Sequence, residues 1–192
     1  MKPHQQHVGL KKQSGFTLIE LLTTVIIIGV VLAIGVPSYQ QFLRKNHTVT
    51  NANSLVTALN LARSEAVKRG AQVTIRRNAG ATQVWENGWS IFTDLNRNGA
   101  FNDDGDATLC EPTEDCQLRV YGALPNNYTL RTGATYATWV AYLPNGLSRG
   151  SGGLANDTFR LCADDANITN SRNIAVSITG RPRASEGTTS CP

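Results

Sequence analysis

The sequence predicts an α+β fold: a long N-terminal α-helix, apolar on all sides in its first half, with an antiparallel β-sheet head packed on its second half. Three observations carry this. No charged side chain occurs from Leu21 to Leu43. Leu55, Leu59, Ala62 and Ala66 then recur at helical steps, so one face of the segment from Ser38 to Arg69 is apolar. After Gly70 the texture changes to short alternating runs divided by turn residues, the pattern of antiparallel strands.

At 192 residues the chain suits one sizeable domain and an appendage. With 41% hydrophobic and 17% charged residues it is not disordered overall. The formal charge of +4 includes Lys2, Lys11 and Lys12, which precede the apolar run, and falls to +1 without those three. Global basicity is therefore no argument for a polyanionic partner, and only local clusters count.

Residues 1–15 have the basic character of an export leader, but the small residue Gly15 stands before the apolar run. A secretory signal carries its cleavage site beyond that run, so cutting at Gly15 would remove the charges and keep the helix. The stretch Phe16 to Val36 is long enough, at 1.5 Å per residue, to cross the hydrocarbon layer. A plain signal anchor is the simpler reading. Glu20 argues against it, because a carboxylate within a span is costly and usually has an assigned partner. Gly29, Gly35 and Pro37 predict a weakened, kinked helix, or serve only to ease helix packing. Thr48 to Asn51 are poor helix formers and predict fraying or bending. Gly70, preceded by Lys68 and Arg69, is the natural stop.

Beyond it, strands are expected at Val73 and Ile75, Val84 to Glu86, Trp89 to Thr93, Tyr128 to Thr132, Thr138 to Leu143, Thr158 to Cys162 and Asn173 to Thr179. Asn87-Gly88 reads as a two-residue hairpin turn and Asn145-Gly146 as another. Arg149 to Gly153 reads as a flexible loop. The four cysteines suit two disulfides formed outside the cytosol. Of three pairings, Cys110 with Cys116 and Cys162 with Cys191 closes the shorter loops.

Catalytic constellations are poorly supported, since His4 and His7 lie in the leader and His47 is isolated, and a protein without enzymatic activity or cofactor is expected. The cysteine spacing does not fit a structural zinc site, and no GxxxxGK[ST] phosphate loop occurs. Asp94, Asn96 and Asn98 followed by Gly99 match the first half of an EF-hand loop and form a weak calcium candidate. Gly105 stands where the bidentate glutamate belongs, leaving Asp103, Asp104 or Asp106 as substitutes; the alternative, a polar hairpin loop without metal, is preferred. In the tail, Arg181 and Arg183 flank Pro182 after Gly180. An extended chain projects both guanidinium groups to one side, and such planar forks suit phosphate oxygens. Two solvated arginines guarding an edge strand explain them equally well.

The motif Gly15-Phe16-Thr17-Leu18-Ile19-Glu20, followed by the apolar run and Pro37, resembles the N-terminus of type IV prepilins and of the pseudopilins of type II secretion. The resemblance implies a type IV pilin fold in which a prepilin peptidase cuts after Gly15 and methylates the new amino group of Phe16. Glu20 would then neutralise the terminal amine of a neighbouring subunit. It implies three segments: a leader removed at 1–15, a hydrophobic helix at 16–43 that spans the inner membrane and later lies in the filament core, and a head at 44–192. The head would sit in the periplasm and afterwards in a pilus at the cell surface. The helix would run from Phe16 to Arg69. Gly180-Arg181-Pro182-Arg183, preceded by the strand Asn173 to Thr179 and by Phe159 to Cys162, resembles the C-terminal signature of FimT-type minor pilins, in which a Gly-Arg-x-Arg motif is associated with DNA binding during natural transformation. The acidic Asn/Gly loop is also similar to loops in FimT-like and GspH-like pilins. The implied partners are DNA, held non-specifically by its phosphates at Arg181 and Arg183 with Arg172 or Arg149 as auxiliaries, together with major and minor pilins. GspH-type pseudopilins share this architecture, so roles in secretion or in pilus assembly alone stay open.

Overall fold

The computed structural model describes residues 15–105, 110–125, 127–153, 156–163, 168–188 and 191. Residues 1–14, expected to belong to a leader and holding Lys2, Lys11, Lys12, His4 and His7, and the calcium substitute Asp106 lie outside the described residues. The chain forms two compact units, Met1–Phe42 and Leu43–Pro192.

Helix α1 covers Leu18–Arg69, 52 residues, beginning two residues later than the sequence suggests. Thr17 explains the start. Its hydroxyl accepts the Glu20 backbone N–H at 3.3 Å, so it caps the first turn and the helix proper begins after it. In the first unit the described apolar side chains are all exposed, and the helix is long and apolar enough to cross a membrane. The stretch from Thr48 to Asn51 does not break the helix. The hydroxyls of Thr48 and Thr50 donate to the carbonyls of Arg44 and Asn46, one turn back, at 2.9 Å each, and Thr48 is buried. Tertiary packing outweighs the weak local preference. Pro37 likewise stands inside the continuous helix. At the C-terminus Glu65 pairs with Arg69 at 2.6 Å and Lys68 at 3.8 Å, and Gly70 at φ +64° turns the chain away.

In the second unit, α1 buries Thr48, Ala52, Leu55, Ala58, Leu59, Ala62 and Ala66. Four of these are alanine. The first sheet has the order β3-β2-β1-β5-β6, with β1 Val73–Arg77, β2 Trp89–Thr93, β3 Gln117–Tyr121, β5 Trp139–Tyr142 and β6 Ser148–Gly150. The second has the order β4-β7-β8-β9, with β4 Tyr128–Arg131, β7 Asp157–Ala163, β8 Arg172–Val176 and β9 Pro182–Glu186. Every pairing is antiparallel. The core joins the helix stripe to the inner faces of both sheets.

Two local expectations fail, and one strand was not foreseen. Val84 to Glu86 is not a strand hairpinned to β2 through Asn87-Gly88: β2 pairs with β1, and Val84 makes only an isolated bridge to Arg131. Trp85 is the cause. Its ring is fully buried edge-on to Phe159 at 5.0 Å, and its Nε1–H donates to the Tyr136 carbonyl at 2.9 Å. Arg149 and Gly150 belong to β6 rather than to a flexible loop, because β6 pairs with β5 across the Asn145-Gly146 turn. There Leu143 donates its N–H to Leu147 at 2.9 Å and Gly146 takes φ +78°. Strand β3 was not foreseen. It is an edge strand whose exposed and half-buried residues lack the alternation of a core strand.

Candidate nucleic-acid interface

Strands β8 and β9 are joined by a turn from Ser177 to Arg181. Gly180 donates its N–H to the Ser177 carbonyl at 2.8 Å, Ser177 donates to the Arg181 carbonyl at 3.1 Å, and the Arg181 N–H is accepted by the Ser177 hydroxyl at 3.2 Å. Gly180 sits at φ +75°. A Cβ there would overlap the Gly146 carbonyl oxygen and reach Tyr142 Cε1 at 2.9 Å. Only glycine meets both demands, a left-handed backbone and a close approach. The carbonyl it packs on is itself held, since Arg63 of α1 donates Nε–H to it at 3.1 Å. Ser148 adds a link from β6, donating its hydroxyl to the Ser177 carbonyl at 3.2 Å. The turn is thus supported by a helix and by a hairpin of the other sheet.

Arg181 and Arg183 emerge from this support and both are exposed. They line one open hollow of about 290 Å³, floored by Thr158 and Ala175. Among the described residues neither takes part in an ion pair. Pro182, between them, opens edge strand β9 opposite Val176, at a position where its missing N–H and fixed φ are tolerated.

The two auxiliaries are not brought to this pair. Arg172 stands opposite Glu186 at the far end of β8, four residues or roughly 13 Å from Val176. Its side chain is 11% exposed, donates to the Ser171 carbonyl at 3.0 Å and faces the Glu186 carboxylate at 3.8 Å. Burial and a carboxylate partner leave it little to offer a phosphate. Arg149 lies on the first sheet with its guanidinium over the Trp139 ring, 5.5 Å from the centroid.

The loop beginning at Asp94 spends its oxygens internally. The fully buried Asp94 carboxylate accepts from Gln72 at 2.8 Å, Thr74 at 2.7 Å and the backbone N–H groups of Asn98 and Gly99 at 3.0 and 2.9 Å. The Asn96 and Asn98 side-chain oxygens accept the N–H groups of Asn98 and Ala100 at 3.1 and 2.6 Å. Asp115, which the sequence did not flag, accepts from Leu95 and Asn102 at 2.8 and 2.9 Å. These are the contacts of a loop that ties itself together. Asp103, Asp104 and Glu114 gather their carboxylates within 4.8 Å elsewhere in the loop.

Cys110 is bonded to Cys116, and Cys162 to Cys191, which tethers the chain beyond β9 to β7. At the other end of the chain, Gly15 and Phe16 are exposed and Glu20 occupies the first turn of α1. A carboxylate there faces the positive end of the helix dipole. This dipole gives Glu20 an intrachain reason for its position that the sequence argument had missed.

Comparison with known proteins places these features. The family described as type II transport protein GspH matches residues 51–180, and the prokaryotic N-terminal methylation motif matches residues 10–36. The first of these matches ends at Gly180, so the arginine pair lies just past it. A fimbrial protein of Pseudomonas aeruginosa is 38% identical over 90 residues, 47% of this chain and 57% of the relative. The chain thus spans little more than half the length of that curated relative. Prepilin peptidase-dependent protein D of Escherichia coli K12 is 56% identical over 36 residues, 19% of this chain and 25% of that protein. In fold, the crystal structure of the type IV minor pilin FimU of Pseudomonas aeruginosa PAO1 superposes with a TM-score of 0.57 at 22% identity, covering 78% of this chain and 96% of the other. One long N-terminal helix on antiparallel sheets is the type IV pilin fold.

Proposed function

The chain belongs to the GspH family of type II transport proteins, and from that membership and the tail we propose that it is a minor type IV pilin whose head binds the DNA backbone without sequence preference and takes part in DNA uptake during natural transformation. The observation that carries this reading is the presentation of Arg181 and Arg183, exposed in one hollow, on a turn braced by Arg63, Gly146 and Ser148. A braced turn loses little conformational freedom on binding, and two guanidinium forks suit phosphate oxygens. Few charges are involved, so binding is weak, salt-sensitive and strengthened by several heads on one filament.

The remaining parts follow from the pilin pattern. A prepilin peptidase cuts between Gly15 and Phe16 and methylates the new amine. The apolar half of α1 holds the precursor in the inner membrane with its head in the periplasm. On assembly, beside other major and minor pilins, Glu20 meets the terminal amine of a neighbouring subunit, a pair much favoured over either charge alone in an apolar filament core. The head is then carried to the cell surface.

The test is titration of duplex DNA with the full-length mature chain in neutral detergent at two salt concentrations. Replacing Arg181 and Arg183 by alanine should weaken binding severalfold or more and lower the log-log salt slope by roughly 1.8, about 0.9 per phosphate contact. Near-ultraviolet circular dichroism should stay unchanged. Wild-type affinity in the double variant rejects the site. The family's own description supports a second reading, a pseudopilin of type II secretion. Under that reading the double variant leaves transformation intact and loss of the protein impairs export. A purely structural minor pilin would lose piliation instead.

A further inference from the structure

The outer face of the second sheet continues beyond the arginine pair. Along β7 the side chains alternate: Phe159 and Leu161 are buried, whereas Thr158 is half-buried and Arg160 exposed. Thr158 stands opposite Ala175, and Ala175 opposite Arg183, so Thr158 and Arg160 share the face of Arg183. Two strand spacings, about 10 Å, and one step of two residues, about 7 Å, put the Cα atoms of Arg160 and Arg183 roughly 12 Å apart. Side chains extended from positions that far apart can contact different phosphates of one duplex.

A second hollow, of about 430 Å³, lies beneath Arg160 and shares Asp157 and Thr158 with the first. Its other charges are spoken for. Arg131, opposite Arg160 on β4, is paired with Glu86. The Asp157 carboxylate accepts the N–H groups of Gly133, Tyr136 and Thr158 at 3.2, 3.0 and 2.7 Å. Among the described residues Arg160 has no ion-pair partner. Among the described residues lining the two hollows, Arg160, Arg181 and Arg183 outnumber the Asp157 carboxylate, so the local field is positive. Among the described residues this face offers Thr129, Thr158, the bridged Cys162, Asn173, Ala175 and Ser185, with no ring on which a base can stack. Proteins that hold single strands rely on such rings, whereas a duplex presents its phosphates alone.

We propose that Arg160 is a third phosphate-binding residue and that the outer face of the second sheet takes the backbone of double-stranded, rather than single-stranded, DNA. This rests on the reading of Arg181 and Arg183 given above.

The experiment uses the full-length mature chain in neutral detergent, a short duplex, and polythymidine of the same length. Arg160→Ala should lower duplex affinity severalfold in low salt and reduce the salt slope by about 0.9. Arg160→Lys should restore the slope, and the duplex should bind more tightly than polythymidine. Wild-type affinity and slope in Arg160→Ala, with binding lost in the Arg181/Arg183 double variant, overturns the role of Arg160 and leaves the pair standing. Loss in Arg160→Ala with the double variant unaffected supports Arg160 and overturns the pair. Wild-type binding in both overturns the whole face, and equal or tighter binding of polythymidine overturns the duplex preference.

Discussion

Replacing Gly180 by alanine separates two costs that the structure attaches to this turn. The left-handed backbone, at φ +75°, disfavours an L-residue by about 1–2 kcal/mol. Overlap of the new Cβ with the Gly146 carbonyl, which Arg63 holds in place, adds about 1–3 kcal/mol of overpacking. Against these, alanine restricts the unfolded chain and returns only about 0.4–1 kcal/mol. The net loss spans about 1–4.5 kcal/mol and centres on about 3 kcal/mol, or roughly 6–12 °C in melting temperature for a chain of this size. The melt is followed by near-ultraviolet circular dichroism, to which the fully buried Trp85, Trp89, Tyr136 and Tyr142 contribute. Gly70→Ala is the control: φ is +64° there too, but nothing lies within 4 Å of its Cβ position. It should show the backbone cost alone. Gly180→Ala should also weaken duplex binding while keeping the salt slope, since both arginines remain. Equal melting shifts for the two variants, or none for Gly180→Ala, would refute the claim that the turn is wedged against the hairpin.

Four further outcomes follow from the head. The Cys162–Cys191 bridge closes 29 residues and the Cys110–Cys116 bridge only 6, so replacing the first pair by serine should cost about 3–4 kcal/mol in urea melts and the second about 2 kcal/mol; the reverse order would contradict the loop-closure account. Asp94→Ala strands the buried Gln72 and Thr74 donors and should cost at least about 3 kcal/mol. Calcium against chelator should leave the wild-type melting temperature unchanged, and a clear calcium-dependent rise would restore the metal reading of Asp94, Asn96 and Asn98. Burial pushes the Tyr136 hydroxyl up from 10.0 to about 12, and Tyr142 moves in the same direction for the same reason. The unfolded chain releases these protons first, so stability should be level below about pH 10 and fall between about pH 10 and 12. Urea melts at pH 9 and 11.5 check this, and equal stability at both would refute it.

What the sequence disclosed divides along a physical line. The stripe Leu55, Leu59, Ala62, Ala66 and the turn at Asn145-Gly146 were readable because helical period and turn chemistry act over a few residues. The same rule misled at Asn87-Gly88, where long-range burial of Trp85 against Phe159 decides the path. Edge strand β3 escaped although Gln117 to Val120 alternates in sequence, because the run is short and a register shift opposite Ile91 and Phe92 keeps its burial from following that alternation. The loop at Asp94 showed its turn residues, but its anchors Gln72, Thr74 and Asp115 come from distant segments.

The candidate site obeys the same division and so yields a different kind of inference. Arg181 and Arg183 sit two residues apart, and local geometry alone predicts that they project together. Arg172 and Arg160 are indistinguishable in that light, both being arginines on short strands of the same sheet. Register separates them. Arg172 falls opposite Glu186 and is 11% exposed, whereas Arg160 falls opposite Asn173 and Arg131 and points to solvent on the face of Arg183. A shift of one residue between β7 and β8 would move Arg160 off that face and bring a core residue onto it. The burial of Phe159, Leu161, Ile174 and Val176 opposes such a slip, so the hydrophobic core of the head fixes which cations a phosphate backbone can meet. A variant that loosens that core without touching an arginine, such as Phe159→Ala at a cost of about 3–5 kcal/mol, should therefore lower duplex affinity and melting temperature together. Full affinity in a destabilised Phe159→Ala head would show that the arginines bind as a floppy cationic tail, and that the sheet has no part in presenting them.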